Sequence, residues 1–348
     1  MIQREVQGGL AVLEKTNKMN LIIPMAGRGT RLRPQTLTTP KPLIEVAGKT
    51  ILQRIIDIAL NGQTNNIENI GFIIQDKDPE VEILLKSIGQ KNKINTSIFY
   101  QSEAKGTADA IFCAKELLCG SCLIVFADTL FDANLKFDKT CEAAIFVQEV
   151  EDPSAYGVIK CNKDNIVQEF IEKPTNFISN LAIIGVYYFK SGLELSNELK
   201  SILDNNILDK GEYQITTALE NLKNKGMQFM AHKTSDWLDF GSPQNLLDSH
   251  KFILNKEQPS INSKRYKNTT IHPPCKIAKG VIIENSVIGP HVSIAKGATV
   301  KSSVIKNTII QSSSKVYNSN LNNSIIGKNV VFNQNFQSVN IGDYSIIQ

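Results

Sequence analysis

Residues 20–46 read NLIIPMAGRGTRLRPQTLTTPKPLIEV, and the reading of this stretch decides the fold of most of the chain. An apolar run, Leu21-Ile22-Ile23, enters a turn containing Gly27 and Gly29, and four cations, Arg28, Arg31, Arg33 and Lys41, lie in or after it. Glycines let backbone N–H groups approach phosphate oxygens, and guanidinium and ammonium groups answer the charge of a polyphosphate. The unit Pro40-Lys41-Pro42 holds its lysine on a stiff backbone, because proline fixes its own φ and restricts the residue before it.

Spacing excludes two phosphate loops. A dinucleotide fingerprint needs a third glycine where the chain has Leu32, and a Walker loop ending in Gly48-Lys49-Thr50 needs glycine where it has Leu43. An ordinary strand-to-helix turn and a phosphate loop of another kind both stay open on these residues.

Outward from this stretch, residues 20 to about 250 alternate short apolar runs with amphipathic segments. Strands are predicted at 20–25, 70–74, 97–100, 122–127, 143–147, 156–160 and 182–189, and helices at 50–61, 79–87 and 107–118. That order predicts an α/β domain with a Rossmann-like mixed, mostly parallel sheet. Ligands of open sheets collect at the carboxyl ends of strands. Asp128, which ends the run LIVFAD, is therefore expected near the glycine loop.

After about residue 265 the texture changes to Ile, Val, Asn, Ser, Gly and Lys. Ile271, Ile277 and Ile283 form one row, and Ile288, Ile294 and Val300 repeat it seventeen residues later, with Ile305 continuing the first column. One inward aliphatic per five or six residues resembles a short left-handed parallel β-helix of hexapeptide repeats, about four coils long, with rows that lose regularity after Ile310. Open ends and flat faces make a homo-oligomer through this region the expectation. The predicted divisions are an N-terminal extension over 1–18 with Met19 as an alternative start, an α/β domain over 19–256 and the β-helix over 257–348.

Composition bounds the function. The 348 residues carry a net charge of +4, with 42% hydrophobic and 21% charged residues, and no apolar run approaches the roughly 20 residues of a membrane span. Neither nucleic acid nor membrane is an expected partner. Six scattered cysteines and an N-terminus unlike a signal peptide predict free thiols and a cytoplasmic protein.

The opening stretch resembles the signature of sugar-1-phosphate nucleotidyltransferases, G-x-G-T-R-L-x-P followed by P-K-P-L, in the branch that includes glucose-1-phosphate thymidylyltransferases. Further motifs follow in the family's order: Gln101 to Gly106, Asp128 with Ala127 in place of the usual glycine, Tyr156-Gly157, Glu172-Lys173-Pro174, Gly185, and Asp239 in WLDFG. The resemblance implies that a sugar-1-phosphate and a nucleoside triphosphate react to give an NDP-sugar and pyrophosphate. It implies catalytic roles for Arg31 and Lys41, nucleotide binding by Ala26, Gly27, Gly29, Thr30, Gln101, Gly106 and Thr107, and sugar-phosphate binding by Tyr156, Gly157, Glu172, Lys173 and Gly185. Asp128 and Asp239 would hold Mg²⁺. An amide that donates and accepts suits a pyrimidine's imide edge, so UTP or dTTP is expected over GTP, with glucose-1-phosphate as the default sugar. Guanylyl transfer to mannose-1-phosphate, uridylyl transfer to N-acetylglucosamine-1-phosphate and a non-catalytic regulatory subunit are the alternatives. Non-catalytic relatives tend to lose the loop arginine, the lysine or a carboxylate, and all four residues are present.

Other residues receive plainer readings. Cys119 and Cys122 follow a helix and open a strand, the reverse of a redox pair. His272 and His291 raise a second, acyl-transfer activity, against which stands a structural solenoid with two surface histidines. Glu212 and Gln214 are substrate contacts on one reading, against the plainer one in which Gly211 and Glu212 open a helix; Thr217 stands where relatives often have aspartate and is given no role. Trp237 is expected to be core packing that fixes the strand bearing Asp239, and Arg28 and Arg33 are loop charges without an assigned role.

Overall fold

Apolar runs that are buried on both faces need a sheet covered on both sides, and that is what Leu21, Ile22 and Ile23 make. A computed structural model describes residues 18–27, 29–61, 66–132, 135, 141–262 and 265–334. Arg28 and the expected N-terminal extension, apart from Lys18, lie outside the described residues. The chain divides into two compact units, Met1–Ala26 with Ala59–Val125 and Ala133–Thr234, and Gly27–Ile58 with Phe126–Asp132 and Ser235–Gln348.

The first unit holds a nine-stranded mixed sheet. Strand Lys18–Pro24 lies parallel between Asn66–Ile74 and Ser121–Val125, and Asn95–Tyr100 continues the parallel set at one edge. Strand Leu181–Phe189 turns the sheet antiparallel, pairing with Ser121–Val125, Ala143–Glu149 and, through Ala182, Gly157–Cys161. Val167–Glu172 closes that edge, and Phe229–Lys233 lies parallel to Ala143–Glu149. Phe72, Phe146, Phe189 and Phe229 are fully buried in this unit. The sequence reading finds the apolar strands to within a few residues, although the run ending at Asp128 stops as a strand at Val125. The stretch 107–118 is a helix only over Thr107–Cys113 and then a tighter turn over Lys115–Leu117. Helix Ile215–Asn224 starts after Gln214, so Gly211 and Glu212 belong to the preceding turn.

In the second unit, strands Thr129–Asp132 and Asp236–Asp239 pair antiparallel, and helix Pro243–Glu257 follows, started by Ser242 through its hydroxyl and by Pro243. The C-terminal region is a coil of short parallel strands. Its inward columns are Ile271-Ile288-Ile305-Leu321, Ile277-Ile294-Ile310-Ile326 and Ile283-Val300-Val316, with the exposed Phe332 next in register after Val316. The rows thus continue past Ile310. They look irregular in sequence because the repeat shortens from seventeen residues to sixteen, as in Ile294 to Ile310 and Ile305 to Leu321.

The coil turns at three kinds of corner, each occupied by residues with φ between 45° and 85°: Asn268, Asn285, Ser302 and Asn318; His291, Asn307 and Asn323; Gly280, Gly297, Ser313 and Asn329. Asparagine and glycine tolerate this left-handed backbone best, which accounts for the Asn- and Gly-rich texture. Corner asparagines also bond to side chains of the next coil, Asn268 to Asn285 at 3.1 Å and Asn318 to Asn333, in strand Val331–Asn333, at 3.0 Å.

His250, on helix Pro243–Glu257, is buried, and its Nε2 has no hydrogen-bond partner among the described residues. Burial, and then the nearby His291 and Arg54, push its pKa down to about 3. The unfolded imidazole takes a proton near pH 6.5 while the folded one stays neutral, so stability present above that pH is lost as pH falls. The linked loss at pH 5.5 is about 1.4 kcal/mol. His250→Phe should flatten the fall in thermal midpoint between pH 7.5 and 5.5; an unchanged slope would place the linkage elsewhere.

Candidate active site

The glycine loop is shaped by two close approaches. Gly29 has φ +57°, and a methyl group there would lie 3.1 Å from Thr36 Cγ2 and 3.3 Å from Lys41 Cβ. Thr36 Oγ1 donates to Gly29 O at 2.7 Å, and the chain then makes a single tight turn, Thr30–Leu32, pinned by the buried Leu32. Gly27, Thr30, Arg31 and Arg33 are left at or near the surface.

The Pro-Lys-Pro unit forms a second tight turn, Lys41–Leu43. Lys41 is only 9% exposed, and its Nζ lies 3.4 Å from Asp128 Oδ2. The loop lysine and the strand-end carboxylate are therefore brought together, as the sequence predicts.

Asp239 ends strand Asp236–Asp239 opposite Thr129, the residue after Asp128, and Phe240 N donates to Asp128 O at 3.4 Å. Its carboxylate accepts from Gly241 N at 2.8 Å and from Asn245 Nδ2 at 2.6 Å. A methyl group on Gly241 would sit 3.0 Å from both Asp239 carboxylate oxygens and 3.4 Å from Arg31 Nη2, which puts Arg31 beside this carboxylate. Trp237, half-buried rather than part of the core, has Nε1 donating to Thr129 Oγ1 across the same strand pair.

This donor set fits a hard divalent cation. Two carboxylates stand on neighbouring strand ends, and the two bonds to Asp239 leave part of its acceptor capacity uncommitted. Mg²⁺ is held by one or two carboxylates together with substrate phosphates and water. Among the described residues no group of three or more His, Cys, Asp or Glu side chains could make a protein-only cage.

The base and sugar candidates lie in the first unit. Ala26 is buried just after the first strand. Gln101 is 7% exposed, and its Nε2 donates to Gly106 O at 3.0 Å and to Asp109 Oδ2 at 2.8 Å. Both amide hydrogens are thus spent on the protein, which corrects the expectation of a side chain that donates and accepts toward a base. Gly106 has φ +123°, and a methyl group there would lie 2.4 Å from Tyr213 O. Thr107 Oγ1 donates to Gln214 Oε1 at 3.2 Å and accepts from Ile215 N at 2.9 Å, so Gln214 braces this loop.

Glu172 is largely buried; its Oε2 accepts from Thr216 Oγ1 at 2.9 Å and would lie 3.1 Å from a methyl group on Gly157. Lys173, exposed with φ +40°, has Nζ 3.6 Å from Glu172 Oε1, and its N–H donates to Tyr156 O at 3.1 Å. Tyr156, Gly157, Glu172 and Lys173 are therefore one cluster. Gly185 has φ +78° where strand Leu181–Phe189 slips register between Ile183 and Tyr187.

Asn245, Asp109 and Thr216 complete these groups without having been picked out from sequence. Lys210, whose Nζ donates to the carbonyls of Glu172 and Lys173, was missed likewise. Ser242-Pro243 marks a helix start and so hints at Asn245's position; nothing comparable marks the others. The remaining candidates are structural. Cys119 is exposed, and burial pushes the Cys122 thiol up to about 12. His291 is held between Asn307 Oδ1 at 3.2 Å and Asn255 Oδ1 at 2.8 Å. It is a corner brace, whereas His272 is exposed as expected.

The family model described as Nucleotidyl transferase matches residues 21–256. The chain belongs to the nucleotidyl transferase family. Bifunctional protein GlmU of Methanocaldococcus jannaschii is 32% identical over 269 residues, covering 76% of this chain and 61% of the relative. The chain thus spans about three fifths of the length of such relatives. Mannose-1-phosphate guanylyltransferase catalytic subunit beta of Drosophila melanogaster is 29% identical over 280 residues, covering 76% of this chain and 72% of that protein. No helix among the described residues is long and apolar enough to cross a membrane.

Gly106→Ala tests the loop without reference to catalysis. Forcing a methyl group against Tyr213 at a strained φ should cost about 2–4 kcal/mol. That loss should appear as a thermal midpoint several degrees lower, and an unchanged midpoint would mean that the loop is not held as described.

Proposed function

We propose that the protein is a Mg²⁺-dependent sugar-1-phosphate nucleotidyltransferase, joining a nucleoside triphosphate to a sugar-1-phosphate and releasing pyrophosphate. The observation that carries this reading is the gathering of Arg31, Lys41, Asp128 and Asp239 in one unit, with Lys41 buried 3.4 Å from Asp128. A non-catalytic subunit has no need to keep all four.

In the reaction an oxygen of the sugar phosphate attacks the α-phosphorus in line, the α–β phosphoanhydride bond breaks, and pyrophosphate leaves. No protein nucleophile is required. Positioning and charge neutralisation are what the chain supplies. Arg31 and the amides around Gly27, Gly29 and Thr30 meet the leaving pyrophosphate, and Lys41 meets the α-phosphate. Lys41 is suited to this because its turn fixes its backbone and its burial strengthens its field. Mg²⁺, when bound by Asp128 and Asp239, supplies Lewis-acid neutralisation of phosphate charge. Asn245 and Gly241 N orient Asp239 for that task.

Glu172, braced by Thr216, accepts from sugar hydroxyls, with Tyr156, Gly157 and Gly185 around the sugar and Lys173 toward its phosphate. Gln101, Gly106 and Thr107 face the base, and Ala26 adjoins the nucleotide. UTP or dTTP with glucose-1-phosphate is the substrate pair we assign. Guanylyl transfer is the second reading, favoured by the 29% identity to a mannose-1-phosphate guanylyltransferase subunit. We place the transfer activity in residues 19–256 and assembly into a homo-oligomer in 257–348, where Ile282, Val304 and Val331 are exposed. Six free cysteines suit a reducing cytoplasm.

Pyrophosphate release across a panel of triphosphates and sugar-1-phosphates with Mg²⁺ tests the reading, and silence throughout would favour the regulatory alternative. Lys41→Ala and Asp128→Asn should each lower turnover on the order of a hundredfold to a thousandfold. Near-normal turnover in either variant would remove the role given to that residue. Asn245→Ala should raise the Mg²⁺ concentration for half-maximal activity by roughly ten- to a hundredfold, and weaken Mn²⁺ binding measured directly by a similar factor.

A further inference from the structure

Gln101 follows strand Asn95–Tyr100 and is almost wholly buried, its own N–H donating to Ile74 O at 2.9 Å. Its two amide hydrogens go to Gly106 O at 3.0 Å and Asp109 Oδ2 at 2.8 Å. A carbonyl oxygen only accepts, and so does an ionised carboxylate. Turning the amide over would set Oε1 against two acceptors, one of them charged. The orientation is therefore dictated by its partners.

We propose that Asp109 is a specificity-determining residue of the transfer reaction. By occupying one amide hydrogen it leaves Oε1 as all that Gln101 can offer a base, and an acceptor there selects bases with a ring N–H on the pairing edge. Uracil, thymine and guanine carry that N–H. Cytosine and adenine present a ring nitrogen lone pair at the corresponding place, and two acceptors facing each other in a desolvated site are costly. The inference rests on the reading of Gln101 as the base contact and sharpens it. The pairing selects within each base size, UTP over CTP and GTP over ATP, and does not itself separate pyrimidine from guanine.

Asp109 acts through Gln101 and needs no contact with the nucleotide. A test must therefore separate orientation from mere support of the loop. Calorimetric titration of the full chain with UTP, CTP and 3-methyluridine triphosphate, which lacks the ring N–H, does so, with GTP and ATP as the purine pair. The wild type should bind UTP about tenfold or more tighter than CTP or the methylated analogue, the discrimination expected of one well-placed hydrogen bond in a buried site. Asp109→Glu keeps an acceptor-only partner and should keep the ratio. Asp109→Asn can donate as well as accept, which leaves Gly106 O as the one acceptor-only partner holding the amide, and the UTP to CTP ratio should fall several-fold.

CTP binding within twofold of UTP in the wild type would overturn the proposal, as would an undiminished ratio in a folded Asp109→Asn. Were that variant not to fold, Asp109→Ser, whose hydroxyl can also donate, takes its place with the same expected fall in the UTP to CTP ratio, and an undiminished ratio there would equally overturn the proposal. Gln101→Ala with UTP affinity and base preference intact would remove Gln101 from the base site and take this inference with it. Pyrophosphate release would then still report separately on nucleotidyl transfer.

Discussion

An ammonium group taken out of water must find compensating charge, and Lys41 is the point at which this constraint shapes the second unit. Its burial is costly unless an anion is near, and the effective penalty for a buried ion is several kcal/mol. Asp128 answers it at 3.4 Å while remaining largely exposed, with 56% of its side chain open to solvent. The pair is thus asymmetric: the cation is fixed by packing and the carboxylate can still take other partners. Such an arrangement is preorganised for phosphate chemistry, because the positive charge is already desolvated and positioned before any anionic group arrives.

The loop that carries this lysine is held from behind by the C-terminal coil. Gln311 Nε2 donates to Glu45 O at 2.8 Å, and Gln35 Nε2 donates to Ile325 O at 3.2 Å, so two backbone carbonyls are satisfied by side chains from opposite partners. Arg54 adds a third tie: it donates to the carbonyls of Val46 and Ala47 and meets Glu257 at the end of the long helix. That helix in turn holds Asp239 through Asn245 and Ser249, and the coil corner through Asn255 and His291. Carboxylate, loop and coil are consequently one packed body, which gives the coil a physical part in holding Lys41 and Asp239.

Legibility in the sequence followed burial pattern. Runs such as Leu21-Ile22-Ile23 were readable because a parallel strand buried on both faces has no polar alternation to confuse it. Val167–Glu172 and Phe229–Lys233 were not found, since they are short and carry charges, and the second owes its strand form to a partner far earlier in the chain, Phe229 pairing with Ala143. The coil was readable from its aliphatic period, yet the loss of one residue per turn after the second row blurred a repeat that the structure shows to continue. Arg31, Lys41, Asp128 and Asp239 stood out because each sits in a contiguous motif. Thr216, bonded to a carboxylate 44 residues away, stands in no motif, and attention fell on its neighbour Thr217 instead.

Gln101 shows why a residue type and its spacing do not by themselves assign a hydrogen-bonding role. In sequence an amide offers a donor and an acceptor equally, and only its surroundings determine which end faces outward. Here the determining group lies eight residues along and is a carboxylate. With glutamine or serine at position 109 the partner could donate or accept, and Gly106 O would be the one acceptor-only partner holding the Gln101 amide; with aspartate both partners are acceptors. If Gln101 meets the base as proposed, the information about which bases suit it is carried in part by a side chain that need not touch the base, and it becomes visible once the bond between Gln101 and Asp109 is seen.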